Sequence, residues 1–406
     1  MKPTTERKYS LLILFALTLH INACKAVDEI SLSVQDPINR EELKEASLRE
    51  IADRYYGKNF HLGIANHAKL IGQLSTEIAD REFSYIVPAN DYKQSYIHPD
   101  FTRWRWENPD AYLQHAKEKG QRLRLHGPIS PQCSPWARDD KRTPEELSRM
   151  LDEYMTALCM RYGNEEQVVW MDVVNETICP EVVKGGTGFD DRKPGDWFGP
   201  RLGTDKWENP WTILGYDEQS DIKTPRYIDR AFELANQYAP NVKQIINQHG
   251  QFEEVVWEKM KKLVAYLRHD KNRRVDGLGW QAHVEMGWEK KPGNLERLDA
   301  MTKWCHANNL EFHITEMNVW MKNPETANEK EQADTFEAIF KTILQNRHTG
   351  TVGLSFWNVR DEDTSNASWQ GNLWRNDGSS RPAYHRIKQI LIDNIEIKTS
   401  AKGNKH

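Results

Sequence analysis

Eight short apolar runs, separated by amphipathic helical stretches, constrain this chain more than any other feature of its sequence. The runs fall at Phe60 to Ala65, Phe83 to Pro88, Arg122 to His126, Val168 to Val174, Val242 to Asn247, Gly277 to His283, Glu311 to Met317 and Thr351 to Trp357. Each has the length and side-chain character of a strand. Between them, Leu147, Met150, Leu151, Tyr154, Met155, Leu158 and Tyr162 recur at helical spacing, as do Phe336, Ile339, Phe340, Ile343 and Leu344. Such a stripe marks a helix with one buried face. Strict alternation of strand and helix implies a parallel sheet. Eight units predict an α/β fold of one domain, a (β/α)8 TIM barrel, whose chemistry gathers where the βα loops converge at the C-terminal strand ends.

That geometry turns sequence position into a filter. Read in order, the strand ends carry Asn90 and Lys93 after the second run, His126 after the third, Asn175 and Glu176 after the fourth and Asn247 after the fifth. Gln281 and His283 belong to the sixth, Glu316 to the seventh and Trp357 to the eighth. A lone strand-end glutamate is more often half of a structural ion pair than a catalyst. Two carboxylates, amides, histidines and an indole on one rim form a constellation that can do chemistry.

The rest of the chain narrows the setting. Lys2, Arg7 and Lys8 precede an apolar run from Leu11 to Leu19 and the small-residue stretch ending at Cys24. This is the pattern of an export signal over 1–24, with Cys24 placed like the acylated cysteine of a bacterial lipoprotein. The apolar run is too short to span a bilayer. Residues 25–58 read as a helical segment leading into the barrel, 59–395 as the barrel and 396–406 as a frayed tail. The expected location is outside the cytoplasm: a cell-surface or outer-membrane lipoprotein, or a periplasmic or secreted protein. A net charge of −5 without a basic stripe argues against a nucleic-acid partner. No ligand cluster suggests a metal, no cofactor is expected, and a monomer is the expected state. Cys159 and Cys305 lie in helical patterns as inert thiols, whereas Cys133 and Cys179 lie in loops where a disulfide and two free thiols both remain open. Fifteen tryptophans and fourteen tyrosines favour a carbohydrate ligand, because flat rings pack against the C–H faces of sugars.

The run Trp170-Met171-Asp172-Val173-Val174-Asn175-Glu176 closely resembles the W-D-V-V-N-E motif of glycoside hydrolase family 10, the endo-β-1,4-xylanase family. Ile314-Thr315-Glu316-Met317-Asn318 is similar to that family's I-T-E-L/M-D, and Gly279-Trp280-Gln281-Ala282-His283 to its G-x-Q-x-H. The order agrees over roughly Phe60 to Ile390, with Phe83 to Lys93 resembling E-F-N-x-x-T-x-E-N-x-x-K. The resemblance implies a polysaccharide substrate cleaved with retention, Glu176 as acid/base and Glu316 as nucleophile. Asn175 would donate to the sugar 2-hydroxyl, His283 would orient Glu316, and Gln281 would support the same site. His126, Asn90, Lys93 and Asn247 fall on substrate-binding positions, and Trp357 and Trp369 resemble tryptophans that cover the cleaved sugar.

The resemblance fails in places. A W-H pair on the third-strand loop falls on Ser130 and Pro131, the E-N carboxylate on Ala89, the N-D-Y run on Asn247-Gln248-His249, and the Asp after the nucleophile on Asn318. Such clustered losses predict an altered glycone side that accepts decorated or mixed-linkage xylan, or another β-linked glycan. A long insertion, 177 to 225, carries Trp197, Phe198, Trp207 and Trp211 and is expected to supply one or two of them to a subsite wall. Trp104 and Trp106 stay open between core and binding. The competing class is a non-catalytic glycan-binding lipoprotein on the same barrel, which would have no need of both carboxylates.

Overall fold

The computed structural model describes residues 40–131, 143–181, 192–199, 209–323 and 325–396. Within them all eight apolar runs are strands. β1 Phe60–Ala65, β2 Tyr85–Val87, β3 Arg122–Leu125, β4 Val168–Asn175, β5 Lys243–Gln248 and β6 Gly277–Trp280 each pair in parallel with the next. A three-residue strand, β7 His283–Glu285, follows, then β8 Glu311–Trp320 and β9 Val352–Phe356. β6 pairs with β8, β8 with β9 and β9 with β1, which closes an eight-stranded barrel and leaves β7 outside it.

The sixth run therefore does not continue through His283. It stops at Trp280 because Ala282 sits at φ 59°, a left-handed conformation incompatible with a strand ladder. The chain resumes as β7 against the outer end of β8, with His283 opposite Asn318 and Glu285 opposite Trp320. The ten residues of β8 serve the barrel with their first half and a small ribbon above its rim with their second.

Local signals start the helices. The side chains of Ser47 and Thr143 each accept from the backbone N–H three residues on, while Glu50 and Glu146 reach back to close the capping box. The striped faces of helices Pro144–Tyr162 and Glu329–Asn346 are buried. Ahead of β1 stand a 3-10 turn, Glu42–Lys44, and a helix, Leu48–Tyr55. The signal-like segment with Cys24, Cys133 and the tail from 397 on lie outside the described residues. Cys159, Cys179 and Cys305 are buried free thiols. No described helix is long and apolar enough to cross a membrane.

Inside the barrel, polar layers rise toward the C-terminal rim. At the base, Trp170 packs on Tyr85 with ring centroids 4.8 Å apart and donates through Nε1 to Glu311 Oε2 at 3.0 Å. Glu311 also pairs with Lys243 at 2.9 Å and His313 at 3.0 Å. The next layer is the fully buried pair Arg124 and Asp172, joined Nε to Oδ1 at 2.9 Å. Asp172 Oδ2 meets His126 Nδ1 at 3.1 Å. A Cβ on Gly279 would stand 2.6 Å from Asn247 Oδ1 and 2.7 Å from Thr315 Cγ2, so β6 must be bare there for the top layer to form.

Candidate active site

Glu176 follows an irregularity in its strand, and Glu316 lies within one. The pairing of β4 with β5 slips between Asp172 and Val174, and that of β8 with β9 between Ile314 and Met317. Such a bulge breaks strict alternation of faces. Thr315 thus reaches the interior to donate Oγ1–H to Asn247 Oδ1 at 2.7 Å, and Glu316, its neighbour, is buried in the same site. Glu176, just beyond β4, sits at φ 54° with its N–H on the carbonyl of Asn247 at 3.0 Å. Ala89, Ala282 and Asn358 are left-handed as well, at φ 37°, 59° and 67°. Four strained residues thus mark the ends of β2, β4, β6 and β9, as expected where a rim is held for function.

An amide network links the carboxylates. Asn247 Nδ2 donates to Glu316 Oε1 at 2.8 Å and to Asn175 Oδ1 at 2.9 Å. Gln281 Nε2 donates to Glu176 Oε1 at 2.8 Å and to the same Asn175 oxygen at 3.2 Å. Asn175 Nδ2 closes the ring on Glu176 Oε1 at 3.2 Å and Ser130 Oγ at 3.3 Å. Within that site Gln281 therefore serves Glu176 directly. Glu176 Oε2 has no protein partner among the described residues.

Glu316 sits among three basic side chains. His126 Nδ1 lies 3.7 Å from Oε1 and His283 Nε2 3.4 Å from Oε2. Burial disfavours the charged carboxylate, yet His126, His283 and Lys93 together outweigh it and bring its pKa down to about 2. Lys93 is buried against Gly127, where a Cβ would meet its Cε at 3.2 Å and the Asn175 Cβ at 3.4 Å. Burial lowers its pKa against the opposing pull of Glu176, Glu316 and Asp172.

The remaining expected residues divide. Trp357, half-buried, packs edge-on to His126 at 5.0 Å and His283 at 6.2 Å, so it lines the site. Trp369 packs on Trp320 at 4.9 Å, and it is Trp320 that stacks on His283 at 5.5 Å and 7°. Asn90 lies half-buried in the turn after β2, its carbonyl accepting from Lys93 N at 3.0 Å. Its side chain makes no bond to the network. Of the insertion, Trp211 is fully buried and donates Nε1–H to the carbonyl of Ser130 at 3.1 Å. Trp197 caps Lys259 at 4.0 Å and donates to Ile222 O. These two rings are packing, not an open sugar platform; among the described aromatics that the sequence offered for this wall, Phe198 turns toward the rim, 6.0 Å from His249. Trp207 lies outside the described residues. Trp104 stacks on His98 at 3.7 Å and on Trp106 at 5.3 Å, yet it stays exposed, and neither indole touches the amide network.

Three site residues escaped the sequence reading as such. Asp172 was visible as a charge inside an apolar strand beside a second strand carrying Arg124, the signature of an interior pair. Gln248 fixes the segment after Glu176 by accepting from Ile178 N at 3.2 Å and donating to Ile178 O at 2.7 Å. Trp320 gave no signal beyond its class. Among the described residues no group of His, Cys, Asp and Glu is arranged to hold a metal.

A closed parallel barrel that presents two carboxylates from strands across its mouth, joined by amides, is the architecture of a glycoside hydrolase. The chain belongs to glycosyl hydrolase family 10, whose model matches residues 47–390. It is 27% identical over 352 residues to endo-1,4-beta-xylanase B of Neocallimastix patriciarum, covering 86% of this chain and 35% of that protein. It is 25% identical over 324 residues to endo-1,4-beta-xylanase A of Humicola insolens, covering 77% and 75%. The chain thus spans about a third of the first relative's length and three quarters of the second's. Among solved structures, xylanase 10B of Thermotoga petrophila with xylobiose matches with a TM-score of 0.70 at 23% identity, over 86% of this chain and 98% of that one. At that identity the likeness speaks for the fold.

Proposed function

We propose that this protein is a retaining hydrolase of β-linked xylan acting within the chain, with Glu316 as nucleophile and Glu176 as acid/base. The supporting observation is the difference between the two carboxylates. Glu316 is caged by His126, His283 and Lys93 and remains an anion down to about pH 2. Among the described residues Glu176 takes its hydrogen bonds from neutral amides on Oε1 alone, which leaves Oε2 for the leaving oxygen. In the first step Glu176 gives its proton to the glycosidic oxygen as Glu316 attacks the anomeric carbon and the C–O bond breaks. In the second, Glu176 takes a proton from water, whose oxygen displaces Glu316. Two inversions give net retention. Asn175 Nδ2, held by two long bonds, is the donor available to the sugar 2-hydroxyl.

The glycone side departs from the family in the same reading. Ser130 in place of an indole, Ala89 in place of a carboxylate and the insertion braced on Ser130 favour decorated or mixed-linkage xylan over plain linear chains. Export, with a lipid anchor at Cys24, suits a polymer too large to enter a cell; palmitate labelling that survives Cys24→Ala would remove the anchor from the proposal. The central test is hydrolysis of a β-glycan panel with the product anomer read by NMR. The β-anomer appearing first, and all turnover lost in Glu316→Ala, is the expected result. Binding without turnover on every glycan would leave the capture protein instead.

A further inference from the structure

The orientation of every amide behind His283 is dictated by groups that can only accept. Asn372 Nδ2 donates to the carbonyl of Arg360 at 2.7 Å, which turns Asn372 Oδ1 toward Asn318. Asn318 Nδ2 donates to that oxygen at 2.5 Å and to the carbonyl of Trp357 at 3.0 Å. Both its hydrogens are then committed, so Asn318 Oδ1 must face His283 Nδ1, 3.0 Å away. An amide oxygen cannot donate, and the contact is a hydrogen bond only if Nδ1 carries the proton.

We propose that Asn318, braced by Asn372, is a positioning residue that fixes His283 as the Nδ1–H tautomer, making Nε2, opposite Glu316, the atom that gains and loses the exchangeable proton. It rests on the assignment of Glu316 as nucleophile for its kinetic meaning, though not for the tautomer itself. With Glu316 free and anionic, a proton on Nε2 gives the ring a hydrogen bond to Oε2. When Glu316 is esterified to the sugar, its charge disappears, the ring loses its counter-charge and the Nε2 proton is released. A carboxylate at position 318 would hold that proton regardless of the state of Glu316; the amide does not. The groups facing the ring fit this coupling. Among the described residues Glu316 is the only carboxylate paired with it, Trp320 and Trp357 cover it with uncharged rings, and Gln251 donates to its carbonyl. Glu285 and Lys322 neutralise each other nearby at 2.6 Å.

Nitrogen-15 imidazole spectra of the full chain, titrated from acid to alkaline pH without substrate, test the tautomer directly. The Nε2 proton leaving first, with Nδ1 still protonated, is expected; Nδ1 leaving first overturns the inference. In Asn318→Ala the neutral ring should change to Nε2–H, now bonded to Glu316, and an unchanged spectrum also overturns it. Asn318→Asp keeps an acceptor for Nδ1 and should retain the tautomer, while the alkaline limb of kcat moves to higher pH and KM stays within about twofold. An unmoved limb in that variant would refute the coupling. The spectra stand whether or not xylan is the substrate, so failure on xylan and failure of this inference are distinguishable.

Discussion

The layer beneath the carboxylates and the wall beside them are built on opposite plans. Arg124, Asp172, His126, Asn247 and Thr315 are all buried, and Asp172, Asn247 and Asn175 each join two or more neighbours. Among the described residues, the side-chain bonds that tie the wall of Ser130 and the insertion to the site are those of Trp211 to one carbonyl, of Gln248 to the Ile178 backbone, and a long one from Asn175 to the Ser130 hydroxyl. The first plan fixes positions redundantly, as transition-state stabilisation by preorganised dipoles requires. The second leaves a surface that sequence change can remodel without disturbing the chemistry. This contrast explains how a chain can keep its carboxylates and lose the residues that line its sugar subsites.

The sharpest way to break the comparison is at the carboxylates. Glu316→Ala should lower kcat/KM by roughly 10⁴-fold or more, and Glu176→Ala by about 10² to 10⁴-fold on substrates with poor leaving groups. Added azide should restore turnover in both, giving an inverted glycosyl azide with the first and a retained one with the second. The opposite pairing would exchange the two roles.

Next in size is the layer below. Asp172→Ala strands a buried guanidinium and should cost about 3 to 5 kcal/mol in chemical denaturation, whereas pairing it with Arg124→Met should recover most of the loss. Single and double variants of equal stability would show that the layer is not the rigid half.

Gln281→Ala should reduce kcat/KM about 10 to 100-fold through the lost bond to Glu176. At the wall, Ser130→Ala and Trp211→Phe should each cost no more than about 0.5 to 1.5 kcal/mol in stability, with kcat/KM on the preferred glycan changing less than tenfold. A larger effect there than at Gln281 would reverse the ranking.

The smallest effect concerns acid stability. Glu316 has a folded pKa of about 2 against an ordinary 4.5, so its charge favours the folded state above pH 4.5, and that contribution fades as pH falls from 4.5 to 2. Wild type should lose more stability than Glu316→Gln across that window in urea titrations.

Sequence legibility follows the same division. The strands were readable because burial on both sides writes a continuous apolar run, and Glu176 and Glu316 because they stand at the far ends of such runs. The end of β6 was not readable: nothing in Trp280-Gln281-Ala282-His283 announces a left-handed alanine, so His283 was assigned to the wrong strand and its pairing with Asn318 went unseen. Which oxygen Gln281 reaches was equally unwritten, since one residue of backbone turn decides it. Trp211 and Trp197 looked like binding surface because indoles are chemically alike in core and cleft. Only the partners of their N–H groups distinguish the two.

The irregularities in β4 and β8 carry a lesson for anyone rebuilding this rim. Each carboxylate enters the cleft because the count of residues along its strand is shifted against a neighbour. Deleting one residue upstream of either would leave every motif letter in place and swing the acid out into the packing between strand and helix. Insertions and deletions of a single residue within these strands should therefore be rejected more strictly than most substitutions, and a sequence that keeps the letters with altered spacing should be read as an inactive copy.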